Sequence, residues 1–270
     1  MKTILIATDF SDASGNALLY GTKFAKALKA SVILFHAYQP PSPFPSADIT
    51  ISKYGVMAEM KQQLEDEAKR ILHEEASDIE LVCEIGNPKS AIISMAKEKK
   101  ADIIITGMKG AGKNLQKLFG STAASLISGI ELPVLIVPEE AAFNYPDVIA
   151  FASDGIGSAL NEDLDKFKEI KGAFNAKVYV VHVIKNQAED QLKFSELSEM
   201  EKLYDVSFAF PADADTGHAL DAFITDHNVK MVVMMPHKHA WAERLFKRSE
   251  TKEMIFHTHI PLLILADMFS

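Results

Sequence analysis

A chain of 270 residues, 48% hydrophobic and 24% charged, has the balance of a globular protein long enough for one large or two ordinary domains. Its net charge of −9 argues against nucleic acid or an anionic membrane as main partner, so any anion site has to be local. The single cysteine, Cys83, excludes an intrachain disulfide and fits a reducing cytoplasm, and no apolar run approaches the ~20 residues of a membrane span.

Short β-branched runs alternate with helical stretches, the pattern of an α/β protein with a parallel sheet. The first run, residues 4–7, is too short for a signal-peptide core. Further strands are predicted at 32–36, 79–85, 103–106 and 134–137. The stretch Gln39-Pro40-Pro41-Ser42-Pro43-Phe44-Pro45-Ser46 reads as a stiff surface loop, or more sharply as a lid, and a helix should follow from about Ser52 to Glu75. Acidic residues, Asn144 and Pro146 then interrupt the periodicity, which sets a boundary between residues 1–140 and 141–270.

The second half repeats the first. Its strands are predicted at 148–152, 178–183, 206–210, 231–235 and 262–265. Ala7-Thr8-Asp9 matches Ala152-Ser153-Asp154 at offset 145, and the run ending in His36 matches that ending in His182 at offset 146. Pro133 matches Pro261 at offset 128, so about 18 positions are missing from the second copy, most naturally after its second strand. Two tandem, doubly wound, five-stranded domains are expected, with strand order 3-2-1-4-5 taken as the expectation for each. In each, strands one and four would flank the point where the winding reverses, the usual ligand crevice.

The residues at that crevice carry the chemistry. Asp9 ends the first strand, and a carboxylate can accept hydrogen bonds from two ribose hydroxyls. After the fourth strand come Gly107-Met108-Lys109-Gly110 and then Gly120-Ser121-Thr122 opening a helix. Bare backbone N–H groups, close approach without a Cβ and a helix N-terminus suit a phosphate.

Gly107, Gly110, Gly120 and Ser121 fit Gly-x2-Gly-x9-Gly-Ser/Thr without a gap. With Ala7-Thr8-Asp9-Phe10-Ser11, Phe35-His36-Ala37, Gly86-Asn87-Pro88 and Ala101-Asp102-Ile103-Ile104, the chain resembles the universal stress proteins in tandem form. The resemblance covers the first half and the skeleton of the second. It implies an ATP-binding protein, with or without magnesium, that has a regulatory or protective role. Asp9 would bind ribose and the Ala37 backbone would meet adenine. Gly107, Met108 and Gly110 would wrap the triphosphate, with Gly120, Ser121 and Thr122 at its far side. It also implies pairing through the final strands, which a tandem chain can satisfy internally as a pseudo-twofold intramolecular dimer; a homo-oligomer is a further option.

The second copy departs from the pattern. Met235, Lys238, Arg248 and Glu250 stand where the first has Gly107, Gly110, Gly120 and Thr122, although Asp154 and Ser249 survive. Pro236 also removes a donor. One nucleotide per chain is expected.

Rival readings are weaker. Gly107-x4-Gly112-Lys113 nearly spells a P-loop, but Asn114 stands where a magnesium-binding hydroxyl belongs. Lys109, Lys113 and Lys117 cannot act as general bases at neutral pH, so binding or slow hydrolysis outranks fast catalysis. His237, His239, His257 and His259 match no closed zinc spacing. Cys83 has no evident base, and His36 and His182 read as structural. The alternative class is a nucleotide-independent ligand- or protein-binding stress module. A protein partner of unknown identity is expected in either case.

Overall fold

The computed structural model describes residues 1–40, 49–108, 126, 132–152, 164–183, 201, 205–213, 216–234 and 259–265. They divide into two compact units, the first closing at Phe143 and the second opening at Asn144.

The first unit runs β1 (Thr3–Thr8), α1 (Asp12–Leu28), β2 (Ser31–Tyr38), α2 (Ile49–Leu72), a 3-10 segment (His73–Asp78), β3 (Ile79–Ile85), α3 (Pro88–Glu98), β4 (Ile103–Met108) and β5 (Val134–Pro138). All its strand pairs are parallel, in the order β3-β2-β1-β4-β5. Side-chain alternation along the strands gives the sheet two apolar faces. Ile6 and Ile105 lie under Gly21 of α1. Their neighbours Leu5, Ala7 and Ile104 pack with Ala91, Ile92, Met95 and Ala96 of α3.

Local chemistry starts and stops these helices. Ser11 caps α1 by accepting from Ser14 N, and Lys29 ends it in the left-handed conformation, where its N–H reaches the last carbonyls. Asn87 caps α3 with Pro88 in the first turn. The helix expected from Ser52 to Glu75 starts at Ile49 and stops at Leu72, because His73 takes a positive φ and the chain tightens to a 3-10 turn with no buried residue.

The second unit runs β6 (Val148–Ala152), α4 (Asp165–Phe174), β7 (Lys177–Val181), β8 (Ser207–Ala209), α5 (Thr216–Asp226), β9 (Met231–Met234) and β10 (Leu262–Ile264). Its order, β10-β9-β6-β7-β8, is that of the first unit. The hydrogen bonds repeat as well. Ala30 N to Ala25 O recurs as Ala176 N to Lys171 O, at offset 146. Ala101 N to Ala96 O recurs as Val229 N to Ile224 O, at offset 128. Ala7 pairs with Phe35 and Thr106, and Ala152 with Val181 and Met234, so the register is conserved. Phe35 pairs with Val82 and Val181 with Ala209. The offset has therefore already fallen to 127 on the third strand, and the shortening lies between the second and third strands of the copy. The strand expected at 178–183 ends at Val181, and that at 206–210 spans only Ser207–Ala209.

Candidate functional site

The strands of the first unit end at different heights. β2 stays paired with β3 through Tyr38–Ile85, but its ladder with β1 stops at Thr8–His36. β4 stays paired with β5 through Met108–Pro138, but its ladder with β1 stops at Ala7–Thr106. Beyond the end of β1 there is thus a notch, floored by Thr8 and Asp9. It is flanked by the unpaired strand edges of Ala37–Tyr38 and Gly107–Met108. Two strand spacings make it about 10 Å wide. The winding reverses here, because α1 leads toward β2 while the chain returns from β3 to β4.

Asp9 sits on the floor of this notch, exposed. It is not the helix cap; Ser11 is. Ser11 instead donates twice to Asp9 Oδ1, from its backbone N at 3.1 Å and from Oγ at 2.5 Å. A carboxylate offers about four lone-pair positions, so capacity remains for two hydroxyl donors. Burial works to raise the Asp9 carboxyl, but the side-chain and backbone hydrogen bonds of Ser11, helped by Ser14, outweigh it and hold the group below its ordinary value. Asp9 is an anion at neutral pH.

The turn between Asp9 and Ser11 was not legible in the sequence. Phe10 has φ 63°, an outlier for a bulky residue that costs of order 1–3 kcal/mol. Two contacts of its own hold it, and two more brace their partners. Phe10 N donates to Thr8 Oγ1 at 3.0 Å, and the Phe10 ring lies 4.4 Å from the His36 ring at 37°. The buried His36 has Nδ1 at 2.9 Å from the Thr8 carbonyl oxygen. A carbonyl only accepts, so Nδ1 carries the proton. Thr8 Oγ1 also lies 3.0 Å from Ser14 Oγ, which ties the strand end to the first turn of α1.

Gly107 and Met108 belong to β4 and not to a loop after it, as the expected strand end at Thr106 implied; their ladder to Val137 and Pro138 extends the strand. A Cβ at Gly107 would fall 2.3 Å from the Ala13 carbonyl oxygen and 2.7 Å from Ser14 N. Glycine is required there for α1 to approach, a packing reason the motif did not reveal. Met108 is buried, and its carbonyl accepts from Glu139 N at 2.8 Å. Ala37 is half-buried at the edge of the α3-side core. The structure thus brings Asp9, Ala37, Gly107 and Met108 to one end of one sheet. Gly110, Gly120, Ser121 and Thr122 lie outside the described residues, as do Asp154, Met235, His237, His239 and His257. Asn16, which the sequence did not single out, donates through Nδ2 to the carbonyls of Pro138 (2.8 Å) and Ala141 (3.0 Å), fixing α1 to the chain leaving β5.

Residues 1–138 match the model of the universal stress protein family, just over half of the chain. The chain belongs to the universal stress protein family. Over half of this chain it is 31% identical to universal stress protein Rv1636 of Mycobacterium tuberculosis, covering 95% of that protein. It is 26% identical to stress response protein NhaX of Bacillus subtilis, again over half of this chain and 96% of that one. The crystal structure of a universal stress protein from Archaeoglobus fulgidus matches the fold over 98% of both chains, with TM-score 0.76 and 20% identity. The family match thus covers the first unit, while the fold likeness extends through the second. Among the described residues no helix is long and apolar enough to cross a membrane.

Proposed function

We propose that this universal stress protein binds one adenine nucleotide per chain, in the notch of the first unit. The observation that carries the reading is the short β1: it leaves an anionic carboxylate between two open strand edges. Asp9 would accept from the ribose hydroxyls, and the open backbone edge at Ala37 would meet adenine. The β4 end at Gly107 and Met108, continuing to Gly110, Gly120, Ser121 and Thr122, would take the phosphates. ATP suits this set, because a carboxylate near ribose and backbone donors near phosphate divide the nucleotide by charge. Magnesium would accompany the phosphates where it is present. Nucleotide occupancy then regulates a protein partner or a protective response in a reducing cytoplasm.

In the second copy, Met235, Lys238, Arg248 and Glu250 replace the phosphate-facing positions, which supports a single site. Asp9, the one titratable group among Asp9, Ala37, Gly107 and Met108, is placed for ribose rather than for the γ-phosphate, so binding is the primary activity and hydrolysis, if any, is slow. A specific observation favours the nucleotide-independent alternative at one position: Gly107 is already required by Ala13 packing. Mass spectrometry of ligand released from the purified protein, with calorimetry of ATP against Asp9→Ala and Gly110→Val, separates the two. Released adenine nucleotide and at least tenfold weaker binding in both variants, about 1.4 kcal/mol each, support the proposal. Undiminished binding in both would overturn it.

A further inference from the structure

We propose that Phe10 and His36 form a clamp that positions the Asp9 carboxylate, which makes His36 a positioning residue of the notch; the ribose role of that carboxylate rests on the nucleotide reading above. Asp9 lies just past the last residue of β1, so no described strand ladder sets its direction. What sets it is the turn. Ser11 N and Ser11 Oγ converge on Asp9 Oδ1 across a left-handed turn, and the turning residue is Phe10 at φ 63°.

Glycine would adopt this φ without steric strain. A phenylalanine there is explained by what its ring does. The ring lies 4.4 Å from the His36 ring, and His36 is 8% exposed. His36 is itself anchored by its Nδ1–H donating to the Thr8 carbonyl at 2.9 Å. The same Thr8 returns a contact to the turn by accepting from Phe10 N on Oγ1 at 3.0 Å. The result is a closed circuit: β1 end, β2 imidazole, turn ring, and back to β1. His36 and Thr8 stand opposite each other in the ladder, so the sheet itself fixes the distance across the clamp. Strain held by surrounding contacts at a strand end is the kind that serves a site.

The test uses Phe10→Gly, which keeps the backbone conformation accessible and deletes the ring, and His36→Phe, which keeps an aromatic face and deletes the donor. Three quantities are read in each full-length variant: thermal midpoint, ATP affinity by calorimetry, and the Asp9 carboxyl titration by NMR. Phe10→Gly should keep a midpoint close to wild type, bind ATP about tenfold more weakly, and titrate Asp9 closer to its ordinary value. His36→Phe should shift the titration in the same direction. A purely structural pair would lower the midpoint and leave the titration in place, and that result overturns the clamp. If the wild-type chain binds no ATP, the nucleotide reading fails, and the clamp stands or falls on the Asp9 titration alone.

Discussion

Gly107 of β4 lies directly against Ala13 of α1: a Cβ added there would stand 2.3 Å from the Ala13 carbonyl oxygen and 2.4 Å from its carbonyl carbon. The contact is backbone against backbone, so neither side can yield by a rotamer change. It makes the first glycine of the Gly-x2-Gly motif part of the helix–sheet interface as well as part of the candidate site.

Gly107→Ala should therefore destabilise the fold more than Gly21→Ala. At Gly21 an added Cβ would stand 2.7 Å from Ile6 Cδ1, the movable end of a side chain. Overpacking of this kind costs about 1–3 kcal/mol, and Gly107→Ala belongs at the upper end or beyond. Denaturant midpoints of the two variants check the order. Equal losses would mean that the α1 first turn shifts freely.

Asn16→Ala removes both hydrogen bonds from Nδ2 to the Pro138 and Ala141 carbonyls. The expected loss is about 1–3 kcal/mol, since the Ala141 carbonyl loses the Asn16 donor while Pro138 O keeps the Ala141 N–H. Amide exchange after β5 should quicken at Ala141, whose N–H is bonded to Pro138 O, while α3 exchange is unaffected. Unaltered exchange after β5 would show that the tether contributes nothing.

The Asp9 carboxyl titrates below its ordinary value of 3.8 in the folded chain. A lowered folded-state pKa contributes stability that is complete above the unfolded value and is lost as pH falls through the folded one. The stability gap between wild type and Asp9→Asn should thus be flat across neutral and mildly acidic pH and narrow below 3.8. Chemical denaturation at stepped pH measures this. A gap that widens on acidification has the wrong sign for hydrogen bonds from Ser11.

Nucleotide stoichiometry tests whether the two copies differ. Calorimetry should find one ATP per chain, abolished or at least tenfold weaker in Asp9→Ala and unchanged in Asp154→Ala. Two sites, or a loss in Asp154→Ala, would return the second copy to the binding machinery.

Much of the fold was legible because strands and helices announce themselves by local composition. The apolar runs at β1, β2, β3, β4 and β5 were each found within two residues at either end. The repeat was legible because both copies keep the same runs in the same order. The candidate site was legible in part. Asp9 and Ala37 stand at the strand ends where the motif implied. Phe10 was not found, because a left-handed φ on a phenylalanine leaves no mark in composition. Asn16 was not found, because its partners Pro138 and Ala141 are more than a hundred positions away. His36 was read as a buried strand residue, and it is one; only its neighbours reveal the clamp.

By itself the sequence determined the α/β class and the duplication, which follow from hydrophobic periodicity, and pointed to the family through the likeness of its spaced motifs; the strand order was an expectation that the ladder pairings bear out. Only the tertiary structure decided where β1 stops relative to β2 and β4. Strand ends are set by the partners available in the ladder and not by the strand's own residues. That mismatch of heights makes the notch, and packing of α1 onto Gly107, rather than the glycine pattern, fixes one of its walls.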